Sequence, residues 1–301
     1  MAVSAAAETE LPRRDMALSL LSVVIFSSGN VAVKFVVGEI PPLTGLAVRF
    51  TLAAVLFAPL VRWPGWRQIA VLAQIAVCLS VLHQGLIFWS LTRIDAALSI
   101  ILIQSQVVFT TLLGWLFLGE HVGWRSFLGI ALGMGGVVVL VGLPAHPPDI
   151  MGVLGMLAAA LFVSVAFLRM KHLTAMTAAT YISLLHVIAA PLAWALAFAL
   201  ERPTAVGPLA AVDPRAGLAL IYLAVVLSTA HLIWQRLMNR NPISKIVPFS
   251  LLMPFTGVAL AVTVLDETIS IDFAIGSLLT IAGVAIIILR RARPDRTPPT
   301  R

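Results

Sequence analysis

The sequence predicts an all-α integral membrane protein: ten transmembrane helices forming two inverted five-helix repeats, with both termini cytoplasmic. Three observations carry this expectation. The 301 residues are 60% hydrophobic and only 11% charged, with a mean hydropathy of +1.03, against about 25% charged residues in soluble chains. So much apolar surface cannot be hidden in one water-exposed fold. The chain also resembles itself. LSVLH at Leu79–His83 returns as LSTAH at Leu227–His231, and LGEHV at Leu118–Val122 returns as LDETI at Leu265–Ile269. Gly129 and Gly136 then match Gly276 and Gly283, with one residue of drift that a single loop deletion explains. Finally, of the 20 Lys and Arg, all but five fall in segments on the N-terminal side of the membrane; Arg93, Arg202 and Arg215 lie opposite, and Lys34 and Arg49 lie within spans. By the positive-inside rule that side is the cytoplasm.

Taken in order, residues 1–15 read as a polar cytoplasmic tail ending in Arg13, Arg14 and Asp15. The apolar run at 16–37 follows a basic pair, as a signal peptide would. It is long enough to span the bilayer, though, and no small-residue cleavage site follows. Further apolar runs lie at 41–61, 68–91, 94–118, 123–142, 150–169, 176–200, 216–238, 242–264 and 271–290, separated by Pro-, Gly- and Asn-rich links such as Pro41-Pro42 and Trp63-Pro64-Gly65. Helices satisfy their own backbone in lipid, and the runs do not alternate as barrel strands must. The domain boundaries follow: a first repeat over 16–142, a second over 150–290, and a cytoplasmic tail at 291–301. Five spans per repeat is an odd number, so the second copy enters the membrane upside down. Repeats so related are typical of secondary transporters, with the substrate site near the midplane between the halves.

The candidate site residues are neutral or weakly basic. All 13 Asp and Glu fall away from span centres, which argues against a carboxylate proton carrier and against direct pairing with cationic drugs. His83 and His231 hold matched positions a few residues past the middle of their spans, where a shared cavity would be lined by both; histidine titrates near neutral pH. The alternative for each is a buried neutral histidine bonded to a carbonyl, and that alternative is preferred for unmatched His186. Gln104 and Gln106 sit at the centre of the fourth run. Two apart on a helix, they point about 200° from each other, so one faces a cavity and the other a neighbour. Their matches are Leu251 and Met253, so the fold does not demand the polarity. Ser27, Ser28 and Asn30 in the first span and Ser164 at the matching place in the sixth suit either substrate bonds or helix packing. Trp234, three residues after His231, suits either an aromatic substrate or lipid. Arg49 is read as bracing an external carboxylate such as Glu39 or Asp95, with attraction of an anionic substrate group as the alternative, and Lys34 is left open between snorkelling and that same attraction. Trp66, Trp89 and Trp124 read as interfacial belt residues. Glycine faces on the fifth and tenth runs mark scaffold or dimer-facing helices.

No phosphate loop, catalytic triad or HxxH spacing is present, and Cys78 is the sole cysteine, so no cofactor and no metal are expected. The basic residues cluster at span ends rather than on one face, which speaks against a nucleic-acid partner. The expected partners are a small-molecule substrate and the lipid bilayer, with the protein as monomer or homodimer.

The stretch 25–57, with its small-residue turn at Asn30, then Lys34, Pro41-Pro42 and Arg49-Phe50, resembles the opening of EamA-type members of the drug/metabolite transporter superfamily. Leu118-Gly119-Glu120 with Gly129 and Gly136, and the segment 253–288, resemble the ends of that family's two repeats. The resemblance covers about 16–290. It implies ten helices in two inverted repeats, alternating access, and a bacterial inner-membrane exporter of amino acids, aromatic or otherwise apolar, or of similar metabolites. A broad drug or nucleotide-sugar carrier, and more remotely an intramembrane enzyme, are the alternatives. Two positions depart from the family pattern. Ser28-Gly29 stands where many members have Trp-Gly, and the fourth span lacks a proline that the ninth keeps at Pro254, so a straighter fourth helix is expected.

Overall fold

The computed structural model describes residues 11–119, 123–142, 147–173, 176–202 and 212–291. Among them, ten helices are long and apolar enough to cross a membrane: Arg13–Val37, Pro42–Leu60, Trp66–Ser90, Ala96–Leu118, Trp124–Val141, Ile150–Met170, Ala178–Leu200, Pro214–Arg240, Val247–Leu265 and Ile271–Leu289. They fall within a few residues of the runs expected from hydropathy. The tail segments 1–10 and 292–301 and the loop at Glu120 lie outside the described residues. Large apolar side chains such as Val55, Leu116, Val138 and Leu278 stand exposed on the bundle surface, as lipid-facing positions do when lipid is the solvent.

The local starts and stops follow from sequence. Proline opens the second span at Pro42 and the eighth at Pro214, where a missing N–H costs nothing. The Asp149 carboxylate caps the sixth span through the Met151 N–H, and Thr177 caps the seventh through the Thr180 N–H. The fourth and ninth spans end alike, each in a left-handed residue. Gly119 (φ 64°) sends its N–H back to the Gly114 carbonyl, and Asp266 (φ 56°) sends its N–H to the Ala261 carbonyl. The duplicated LGE and LDE motifs are thus the same helix terminator, written once with glycine and once with aspartate.

The duplication extends to packing, and contacts come in exchanged pairs. The second span packs on its own counterpart, the seventh, and the fifth on the tenth. The third packs on the sixth while the eighth packs on the first, and the fourth packs on the sixth while the ninth packs on the first. The glycine seam shows the symmetry at atomic scale. A Cβ on Gly129 would lie 2.7 Å from the Gly283 carbonyl oxygen, and a Cβ on Gly136 would lie 2.6 Å from that of Gly276. Gly129 thus meets the counterpart of Gly136, and Gly136 meets the counterpart of Gly129, so the two helices run antiparallel about a local two-fold. The glycine faces expected to serve a scaffold or a dimer contact meet each other within one chain.

Three further expectations are corrected. The fourth span is not straighter for want of proline. It breaks at Ile103-Gln104 into Ala96–Leu102 and Ser105–Leu118, because the amides of Gln104, Gln106 and Val107 bond to carbonyls three residues back instead of four, tightening one turn. The ninth span is interrupted at the matching level by the 3₁₀ stretch Val247–Leu252 ahead of Pro254. Lys34 does not snorkel: its Nζ donates to the Leu91 and Ile94 carbonyls, at 3.0 and 2.6 Å, capping the end of the third span. Trp89 is more than a belt residue. Its ring would meet a Cβ on Gly155 at 2.8 Å, so it wedges the third span against the sixth, while Trp66 and Trp124 stand exposed at span ends.

Candidate functional site

The third and eighth spans each abandon α winding for a π-helical stretch, at Ala76–His83 and at Tyr222–Leu227. These stretches are matched between the repeats and lead into the duplicated histidines. Such π stretches frequently mark functional positions. No composition signal announces them; LSVLH and LSTAH are the only trace. His83 is buried (8% exposed) and its Nδ1 bonds the Ala159 carbonyl of the sixth span at 2.9 Å. The His231 Nδ1 bonds the Leu227 carbonyl at 2.8 Å. If Nδ1–H donates in both, each Nε2 keeps a lone pair for another partner.

Aromatic rings surround His231. Phe26 of the first span stacks obliquely on it with centroids 4.6 Å apart, and Trp234 meets Phe26 edge-on at 5.7 Å. Trp234 is half-buried, with its edge contact to Phe26, rather than wholly turned to lipid. His186 of the seventh span contacts the rings of Phe50 and Phe57, at 5.8 and 5.7 Å.

Of the small polar residues, Ser164 is fully buried. Its hydroxyl reaches the carbonyls of Ala160 and Gln106, and Thr110 Oγ1 donates to it. Ser27 does the same in the other half, bonding Val23, the Met253 carbonyl and Thr256 Oγ1. Since Gln106 matches Met253, these serines are one staple used twice, pinning the fourth and ninth spans beside their breaks. Ser28 bonds Tyr222, the first residue of the eighth-span π stretch. Asn30 donates to Ser99 at 2.8 Å, one turn before the fourth-span break. Gln104 is buried (5% exposed) at that break, and Gln106 is half-buried.

Arg49 is where the reading from sequence misses. It is 2% exposed and meets neither Glu39 nor Asp95. Nη1 donates to Gln84 Oε1 at 2.7 Å, and the guanidinium lies over the Phe50 ring at 5.3 Å. Gln84 follows His83 in the chain and has Leu232 as its match. That asymmetry, like Gln104 against Leu251, was a signal that could have singled it out. The structure therefore links Arg49 to Gln84, the neighbour of His83, and through Phe50 to His186, links His231 and Trp234 through Phe26, and sets Gln104 and Asn30 near the fourth-span break. The Ser164 hydroxyl is engaged in bonds between helices.

Comparison with known proteins follows from this architecture. The model of the EamA-like transporter family matches residues 14–142 and again 150–289. A probable amino-acid metabolite efflux pump of Escherichia coli is 28% identical over 294 residues, covering 92% of this chain and 95% of that protein. Its counterpart of the same description in Salmonella typhimurium is 27% identical with the same coverage. A probable terminal-alkyne amino-acid exporter of Streptantibioticus cattleyicolor is 28% identical over 266 residues, covering 86% and 88%. One solved crystal structure shares the fold with a TM-score of 0.64 at 19% identity, covering 92% of this chain and 99% of that one.

Proposed function

Because the chain belongs to the EamA-like transporter family, we propose that it exports amino acids or similar small metabolites across a bacterial inner membrane, by alternating access between two inverted halves. The observation that carries this reading is the duplicated polar centre. His83, the last residue of one π stretch, and His231, one turn past the other, occupy matched places in halves that pack crosswise. A structure whose two halves are interchangeable can face either side by exchanging their conformations. The relatives described as amino-acid efflux pumps and exporters support the substrate class. The aromatic lining at Phe26, Trp234, Phe50 and Phe57 supports an apolar or aromatic side chain on the substrate. His83, His231, Gln104, Gln106, Ser28, Asn30 and Trp234 are the proposed substrate contacts. The excess of basic residues on one side supports cytoplasmic termini.

The test is uptake of labelled phenylalanine and tryptophan into proteoliposomes, with and without an imposed pH gradient. Saturable uptake is expected, accelerated by unlabelled amino acid inside. Uptake that only equilibrates means a facilitator, and uptake against a gradient means proton coupling. A folded protein that moves neither amino acid faster than empty liposomes refutes the aromatic reading.

A further inference from the structure

Arg49 is a permanent cation inside the bundle, since the guanidinium does not deprotonate in proteins. It is 2% exposed, and its one hydrogen bond among the described residues goes to a neutral amide oxygen. Arg93 and Asp149, by contrast, pair at the surface. Two carboxylates at span ends are engaged elsewhere: Glu201 caps the second span at Leu43 and Thr44, and Glu267 caps the fourth at Ala96 and Ala97. A buried charge without a counter-charge costs several kcal/mol, so this position is retained against a penalty.

The geometry of the free groups says what would remove that penalty. Gln84 occupies Nη1, while Nε is buried with no partner. The side-on edge formed by Nε and Nη2, with two parallel donors, therefore remains unused, and this is the edge that grips a carboxylate bidentately. Beyond the Phe50 ring lies His186, 7% exposed, with both ring nitrogens buried and unpartnered. Two buried polar groups lacking partners around one aromatic ring form an incomplete site.

We propose that Arg49 is the anchor for the carboxylate of a transported amino acid, positioned by Gln84 and completed by His186. The anchor rests on the amino-acid export reading and deepens it: the substrate supplies the counter-charge that the protein withholds. It also accounts for a centre without carboxylates, because an internal Asp or Glu would occupy Arg49 permanently and shut the substrate out.

The experiment is competition of labelled phenylalanine uptake in proteoliposomes by phenylalanine, phenylalaninamide and phenylalaninol, for the wild type and for Arg49→Gln and Arg49→Lys. In the wild type the amide and the alcohol are expected to compete about 10- to 100-fold more weakly than the acid, the worth of one or two charge-assisted bonds. Arg49→Gln should close that gap to within about threefold, mainly by weakening phenylalanine, and Arg49→Lys should keep part of it. Equal competition by acid and amide in the wild type overturns the anchor, whether or not any variant folds. A full gap retained in folded Arg49→Gln overturns it as well. Both results leave amino-acid transport standing, whereas absence of phenylalanine uptake by the wild type fails the aromatic reading of the substrate and, with it, the anchor for phenylalanine.

Discussion

Replacing Gly136 by alanine tests the glycine seam, and its neighbour Gly135 is the internal control. Both lie on the fifth span one residue apart. Gly136 is buried, and an added Cβ there would sit 2.5 Å from the Thr280 backbone nitrogen and 2.6 Å from the Gly276 carbonyl oxygen. Gly135 is exposed, with nothing within 4 Å. The nearest atom facing Gly136 is the Thr280 hydroxyl, which a rotamer change can move, but the next two are backbone, so the helices must separate. Ordinary contact lies near 3.5 Å, so the seam opens by roughly 0.9 Å. A gap of that size forfeits a quarter to a half of each contact along the seam, and overpacking of this kind costs about 1–3 kcal/mol. Alanine's helix propensity returns at most about 1 kcal/mol, and it returns the same amount at Gly135. The difference between the two variants therefore isolates the seam. Gly136→Ala should fall below Gly135→Ala by about 1–3 kcal/mol, read as several degrees of apparent melting temperature in detergent by size-exclusion retention after heating. Equal melting of the two variants would refute the crosswise packing.

Other perturbations have equally definite outcomes. Asp266→Gly relieves a left-handed non-glycine residue and should raise stability by about 1 kcal/mol, whereas Gly119→Asp at the matched terminator should lower it; thermal unfolding of the pair checks this. Glu267→Ala removes the acceptor of the Ala96 and Ala97 amides, at 2.7 and 2.8 Å, and should cost about 1–2 kcal/mol in the same assay, more than Glu267→Gln. His83→Gln or His231→Gln should flatten the pH dependence of transport between about pH 5 and 8 if the pair carries protons; an unchanged profile in both leaves them as packing residues. The Arg93 guanidinium beside Asp149 holds its carboxyl below the usual range. The pair's contribution is therefore present above about pH 4 and lost as pH falls through the depressed value. Wild-type and Arg93→Gln melting curves should differ slightly at neutral pH and converge in acid.

The spans were legible because hydropathy alone specifies a helix in lipid, and the helix terminators were legible because LGE and LDE repeat. Residue-level partners were less so. Arg49 invited a search for a carboxylate, and its partner was an amide one residue past a histidine already singled out. The fourth-span break escaped because it is made by three backbone hydrogen bonds, at Gln104, Gln106 and Val107, and not by a proline. Gly129 and Gly136 announced a close approach but not its target, since a smooth face is the same whether it meets another chain or the other half of its own. Ser164 offered two roles from sequence, and the helix–helix bonds it shares with Ser27 were not legible there.

The π stretches have a mechanical consequence. Each holds more residues per turn than the α winding on either side, so its span carries a small reserve of backbone. Passing one residue of that reserve along the helix turns everything beyond it by about 100° and shifts it by about 1.5 Å, with no hydrogen-bonded turn left open to lipid. In the third span such a step would swing His83 and Gln84 as a unit, changing which of them faces Arg49. In the eighth it would carry His231 and Trp234 around together past Phe26. Two slip joints, one in each half, thus sit beside the residues whose orientation matters most.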